Sequence, residues 1–222
     1  MALGPLVIVG VGPRIGFDVV RTFAAAGHPV AMLARDKAKL DTYAAELADL
    51  GPEIRGYEAD AANPDSLRAA IRTAVAELGA PDAFLYNIAV QYEDSPVGAD
   101  DHEEDERWAH SLAVNVLGAR VAASAVLPEL RDGRGSLLFA GGGYAVHPTK
   151  KYSSVSVGKA ALRAYVQVLA QELAGTGVHA TYVRIGKTLG TGEARYEPAA
   201  LAQAYLDLHN QPESEWQDEL VY

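Results

Sequence analysis

There is no cysteine in the 222 residues. That absence excludes a disulfide scaffold, a cysteine metal site and a thiol nucleophile. Basic residues are scarce, with 19 Lys and Arg against 29 Asp and Glu and a formal charge of −10. Such a balance disfavours electrostatic docking on nucleic acid or an anionic membrane. No run of 18 apolar residues occurs, and Met1–Pro5 enters an apolar stretch without a basic segment, so neither a membrane span nor a secretory signal is expected. Internal repeats, low-complexity tracts and linkers are missing too. What remains is the profile of one soluble, cytoplasmic domain covering residues 1–222. A chain of this length buries roughly 70% of the surface it would expose unfolded.

The acids that are present are not spread evenly. Eight lie between Glu93 and Glu106 with no Lys or Arg among them, and the rest of the chain holds 19 bases against 21 acids. His102 sits inside this stretch and invites a metal reading, since carboxylates and imidazole are ligands. Consecutive residues point in different directions, so a solvated loop leading into a helix N-terminus is the expectation, with no metal.

Apolar runs alternate with helical patterns along the whole chain. Strands are predicted at Leu6–Val9, Val30–Leu33, Glu53–Glu58, Ala83–Tyr86, Ser136–Phe139 and Val178–Val183, with a last short one at Glu219–Val221. Helices are predicted at Ile15–Ala26, Asp36–Leu50, Asn63–Leu78, Glu106–Leu130, Ser153–Leu173 and Pro198–Leu208. The alternation indicates βαβ units, and the strands are apolar enough to be covered on both faces. The predicted fold is α/β: a single doubly wound, Rossmann-type domain with a parallel sheet of six to seven strands and helices on both faces.

The first strand runs into Gly10-Val11-Gly12-Pro13-Arg14-Ile15-Gly16 at a helix start. Glycines let the backbone approach a pyrophosphate, and the helix N-terminus offers free N–H donors. The spacing here is G-x-G-x-x-x-G, which leaves open a glycine-rich turn that holds nothing. The second strand ends in Ala34-Arg35-Asp36. An acid at this place holds the ribose hydroxyls of NAD, whereas an Arg meets the 2′-phosphate of NADP. Arg35 comes first and Arg14 lies in the facing turn, so NADP(H) is preferred over NAD(H). The alternative makes Arg35 a solvated charge and Asp36 the cap of the next helix.

With these features in place the chain resembles the short-chain dehydrogenase/reductase family over residues 5–190. Asp60, in Glu58-Ala59-Asp60-Ala61, matches the family acid that contacts adenine. Asn87, in Tyr86-Asn87-Ile88-Ala89, matches the second Asn of the segment after the fourth strand. Asn115, in Val114-Asn115-Val116, matches the active-site Asn of the long helix, and Lys159, in Gly158-Lys159-Ala160, matches the catalytic Lys. Gly186 matches the glycine after the sixth strand, with Ile185 in place of the family's proline. The resemblance implies that Gly10, Gly12, Arg14, Ile15, Gly16, Arg35, Asp60, Asn87, Lys159 and Gly186 contact the cofactor. It also implies a small-molecule substrate and a homodimer or homotetramer.

The sequence departs from the family where the chemistry is done. The family's Tyr, four residues before the Lys, is Val155 here, its Ser is Gly142, and Arg14 stands at its middle glycine. Tyr152 lies seven residues before Lys159, about 20° off the same helix face and about 10 Å along the axis. This Tyr-x6-Lys spacing resembles the divergent enoyl-thioester reductases of the superfamily. Lys159, Tyr152 and Asn115 are therefore the expected catalytic set, with Tyr152 alternatively packing the helix entry. Tyr144 and His147, on the loop after the fifth strand, could face the pocket, and Lys150-Lys151 could attract an anionic substrate tail or stay solvated. Gly141-Gly142-Gly143 could leave room and offer an oxyanion site, or merely supply positive φ in a turn. The segment 187–222 is short for a substrate cover, and Trp216 and Tyr222 near its end suit a subunit interface. The expected activity is hydride transfer from NADPH to a carbonyl or conjugated C=C. The alternative is a member of the fold without redox chemistry, serving as an NADP sensor or scaffold or catalysing a step such as cyclisation or elimination.

Overall fold

The apolar runs become seven parallel strands. They are β1 (Leu6–Val9), β2 (Val30–Ala34), β3 (Ile54–Glu58), β4 (Ala83–Tyr86), β5 (Gly135–Ala140), β6 (Val178–Arg184) and β7 (Glu219–Val221), in the spatial order β3-β2-β1-β4-β5-β6-β7. The computed structural model describes residues 3–98, 102–130, 135–190 and 192–222. Register is fixed by pairs such as Ile8 with Met32 on one side and Leu85 on the other.

Helices cover both faces, and strand residues alternate between them. Val7, Val9, Phe84, Tyr86, Leu137 and Phe139 pack towards α3 (Pro64–Leu78), α5 (Gly118–Leu130) and α6 (Ser153–Glu172). Leu6, Ile8, Met32, Leu85 and Leu138 pack towards α1 (Ile15–Ala25), α2 (Lys37–Glu46) and α7 (Pro198–Asn210). Helix boundaries follow local chemistry. Asn63 caps α3 by accepting the N–H of Asp65 and Ser66, with Pro64 in the first turn. Asp36 caps α2 by accepting the N–H of Lys39 at 3.0 Å.

Two expected boundaries shift by four residues. The helix predicted from Asp36 to Leu50 ends at Glu46 and continues as a separate 3₁₀ turn, Ala48–Leu50. The long helix starts four residues early, as α4 (His102–Leu112), because Glu103, Glu104 and Asp105 favour its positive N-terminal end. It passes through a π-helical turn at Ala113–Leu117 before continuing as α5. This His102–Leu130 helix is long and apolar enough to cross a membrane, but half of that stretch is buried inside the fold.

The segment 187–222 is scaffold rather than cover. Leu201, Ala202, Tyr205 and Leu208 of α7 complete one core layer, and β7 extends the sheet. Glu219 ties β7 down by accepting from the Arg163 and Arg184 guanidinium groups, at 2.9 and 2.7 Å. Tyr222 is buried rather than displayed for a partner, and Trp216 stacks on His179 with ring centroids 4.9 Å apart.

Candidate active site

The strand order reverses between β1 and β4, so the loops leaving their carboxyl ends part and open a crevice. A cleft of about 570 Å³ occupies this place. It is lined from the ends of six strands: Gly10 to Gly16 after β1, Arg35 after β2, Asp60 after β3, Asn87 to Val90 after β4, Gly141 after β5 and Ile185 after β6. Lys159 of α6 and His110 and Val114 of the long helix complete the wall.

The glycine turn is shaped for a ligand. Gly10 has φ of +96°, and a Cβ there would lie 2.4 Å from Ile88 Cγ1, so no other residue fits. A Cβ at Gly12 would meet nothing within 4 Å, so the space beside that backbone is open. Asn87 braces the turn by donating its Nδ2–H to Gly10 O at 2.9 Å. The first turn of α1 has no side-chain cap, which leaves backbone donors for an anion.

Charge is placed at both ends of the cleft. Arg14 and Arg35 are exposed at its mouth, and neither meets a carboxylate among the described residues. Asp36, the acid that could have held ribose hydroxyls, is spent on capping α2. At the inner end Lys159 is buried and donates to Ile88 O at 3.0 Å and Ala140 O at 2.9 Å. An ammonium has three protons, so one is left for a ligand. Burial pulls the pKa of Lys159 down to about 8.

Of the expected cofactor residues, Gly10, Gly12, Arg14, Ile15, Gly16, Arg35, Asp60, Asn87 and Lys159 converge on this one cleft. Gly186 does not line it. Its N–H is committed to Tyr222 O at 2.8 Å, closing the ladder between the chain end and β6, and Ile185 faces the cleft instead. Asn115 is fully buried beneath the wall. It accepts the Val90 N–H at 3.1 Å and donates to Val90 O at 2.8 Å and Ser111 Oγ at 3.1 Å. Both of its amide protons are thus used, and it acts as a clamp on the loop after β4.

Tyr152 stands at the cap position of α6, as its spacing predicts, but outside the residues lining the cleft. Its ring packs on Tyr144 with centroids 5.8 Å apart, and the Lys151 ammonium lies 5.5 Å from its centroid. Lys151 also pairs with Glu93 at 3.4 Å, and His147 is exposed. Gly141, Gly142 and Gly143 all have ordinary φ values, so the turn does not need glycine for positive φ. Gly141 is required by close approach, since a Cβ there would sit 2.1 Å from the Tyr182 ring. Its N–H goes to Val183 O and that of Gly142 to the Tyr182 hydroxyl, so neither is free for an oxyanion. Beside Gly142 a Cβ would meet nothing within 4 Å. Val155 is buried.

Two features of the site carry no local signal in the sequence. Asp94, counted within a solvated acidic stretch, is buried and caps α6, both carboxylate oxygens accepting the Ser154 N–H at 3.1 and 3.3 Å. Alternation of acid and strand gave no signal for a cap supplied from 60 residues away. The second is the pair His110 and Tyr92, whose Nδ1 and hydroxyl oxygen are 2.8 Å apart at the cleft wall. His102, by contrast, is an exposed helix-start residue 3.6 Å from Glu106, and Asp100 and Asp101 lie outside the described residues.

The family model for short chain dehydrogenases matches residues 6–199. The chain belongs to the short-chain dehydrogenase family. It is 30% identical over 173 residues to a short chain dehydrogenase of Pseudocercospora fijiensis, covering 78% of this chain and 55% of that one. It is 31% identical over 174 residues to the sorbose reductase of Schizosaccharomyces pombe, covering 75% and 66%. The chain therefore spans less than two thirds of the length of these two relatives. A metagenomic short-chain oxidoreductase solved in complex with NADP superposes with a TM-score of 0.87 at 22% identity, covering 99% of this chain and 96% of that one, a likeness of fold. The cleft of this chain lies at the reversal of strand order, the place where a dinucleotide fold receives its ligand.

Proposed function

We propose that this short-chain dehydrogenase is an NADP(H)-dependent reductase with an atypical active site, acting on a carbonyl or conjugated C=C of a small organic substrate. The observation that carries the reading is one continuous cleft, with two guanidinium groups at its mouth that have no carboxylate partner among the described residues and the buried Lys159 ammonium at its inner end. The residues present fit the dinucleotide. Open backbone at Gly12 and the uncapped start of α1 suit a pyrophosphate, and Arg14 and Arg35 suit a 2′-phosphate dianion. A related fold is known with NADP bound, which agrees with this assignment. Bound NADPH would supply a hydride, and the chain supplies everything else. Lys159 holds a ribose hydroxyl with its remaining proton, and Asn115 holds the Val90 backbone so that the wall keeps its shape. The open space beside Gly142, which follows the cleft-lining Gly141, would leave room for substrate.

The test is a titration of the purified protein with NADPH and NADH, following nicotinamide fluorescence. NADPH is expected to bind the more tightly. Arg35→Ala removes charge-assisted bonds of about 1.5–3 kcal/mol, so it should weaken NADPH by roughly 10- to 100-fold and leave NADH nearly unchanged. Binding of neither nucleotide would end the reductase reading. Binding without turnover of any carbonyl or enone would favour a cofactor-sensing protein.

A further inference from the structure

Reduction of a carbonyl needs a proton as well as a hydride, and this cleft lacks a tyrosine among its lining residues. Its ionisable or amide side chains are Arg14, Arg35, Asp60, Asn87, His110 and Lys159. The two arginines hold their protons in any neutral solution. Asp60 follows β3 at the outer end of the sheet and accepts the Ala62 N–H at 2.9 Å, so it is far along the sheet from β5 and β6. Asn87 is committed to Gly10 O. Lys159 already supports two carbonyls, and its loss of charge would weaken both bonds.

His110 is different. It sits on α4 one turn before Val114, which lines the same wall, and next to Ser111, whose hydroxyl accepts from Asn115. Asn115 clamps Val90, and Lys159 holds Ile88, so successive hydrogen bonds tie the loop segment from Ile88 to Tyr92 to both Lys159 and His110. Tyr92, two residues beyond Val90, fixes the imidazole through Nδ1 at 2.8 Å, and the rings lie 6.1 Å apart. Nε2 has no partner among the described residues, and His110 is partly exposed to the cleft. A ring held at one nitrogen and open at the other is the arrangement a general acid requires.

We propose that His110, oriented by Tyr92, is the proton donor of this site, taking the place of the tyrosine that Val155 replaces. The proposal rests on the reductase reading above. In the step, the imidazolium Nε2–H bond breaks and a new O–H bond forms on the substrate oxygen. The electron pair of that bond comes from the C=O π bond as the carbonyl carbon receives the hydride. The imidazole is left neutral with its Nδ1–H still donated to the Tyr92 oxygen, and the substrate leaves as an alcohol. In a conjugated enone the same proton would meet the enolate oxygen.

The experiment compares the parent with His110→Gln and Tyr92→Phe by three readouts. Nicotinamide fluorescence gives the NADPH affinity, ¹H–¹⁵N spectra of the imidazoles report the ring, and NADPH oxidation is followed with ethyl benzoylformate and trans-2-hexenal as probes. With six histidines, the His110 signal is assigned as the one missing from His110→Gln. Saturating NADPH should move that signal, and Tyr92→Phe should change its tautomer signature. His110→Gln should keep NADPH affinity within about twofold and lower probe turnover by about 100-fold or more. An imidazole signal unmoved by saturating NADPH, or His110→Gln turnover within about threefold of the parent, overturns the proposal. A parent protein that binds no NADPH, or binds it and oxidises it with neither probe, overturns the reductase reading itself. Fluorescence and parent turnover report that failure without reference to either variant.

Discussion

Lys159 is the residue on which the site turns, and its burial has a measurable consequence. The ammonium is 4% exposed with no carboxylate partner among the described residues, so desolvation lowers its pKa from the ordinary 10.5 to about 8. Below pH 8 both the folded and the unfolded chain carry the proton. Between pH 8 and 10.5 the unfolded chain keeps it while the folded chain sheds it. Stability rises with pH wherever the unfolded state binds more protons, so this group favours the fold increasingly across that window. Urea unfolding of the ligand-free protein at pH 7.5 and pH 9.5 should show a rise that Lys159→Met lacks. The difference between the two proteins should change by on the order of 1–2 kcal/mol. Parallel pH dependences would mean that Lys159 is not desolvated as the structure has it. Arg14 and Arg35 make the contrasting case, since they lie exposed at the mouth without a carboxylate partner among the described residues and would matter to a ligand more than to the fold.

At the scale of elements, the loop after β4 holds the cleft together. It is tied to α6 through Asp94, to the π-helical turn through Asn115 and Val90, and to α4 through Ser95 O, which accepts the Trp108 indole N–H at 3.1 Å. Asp94 satisfies an amide in the first turn of α6 that would otherwise be unpaired, and its charge suits the positive helix end. Asp94→Ala should therefore cost about 1–2 kcal/mol in urea unfolding, with Asp94→Asn recovering part of it. A change under about 0.3 kcal/mol would contradict the cap. The elements themselves were largely legible in the sequence. Apolar runs such as Leu6–Val9 and Ala83–Tyr86 can only be strands buried on both faces, and Asn63-Pro64 carries its own start signal. The glycine turn, Arg35 and Lys159 were legible because they follow predictable strand or helix positions. Asp94 and the Tyr92–His110 pair were not, because each acts across a gap in sequence that local periodicity does not register. The placement of Tyr152 outside the cleft lining was not legible for a related reason. Helical phase gives the direction of a side chain, but the packing of Tyr144 against its ring decides what it reaches.

For the whole molecule, binding of the proposed dinucleotide would have to overcome an unfavourable background, since a chain of −10 would take up a polyanion. The favourable part is local: free amides at the start of α1, two guanidinium groups and one buried ammonium, all in one cleft. The glycine turn after β1, the Arg35 loop after β2 and the wall after β4 come from neighbouring strands of a single sheet, so a ligand in the cleft bridges them all. Whatever binds only the folded chain stabilises it by mass action, by about 2.7 kcal/mol at a ligand concentration of 100 Kd. For a domain of this size each kcal/mol raises the melting temperature by roughly 2–4 °C, so saturating NADPH should raise Tm by about 5–10 °C. NADH at the same concentration lacks the 2′-phosphate that Arg14 and Arg35 would meet, and its shift should be smaller by several degrees. Equal shifts would show that the two guanidinium groups do not read the phosphate, and the preference for NADP(H) would fall while the cleft stood. No shift with either nucleotide at millimolar concentration would remove the cofactor from the cleft altogether, and the seven-stranded scaffold would need another ligand to explain its open, positively lined crevice.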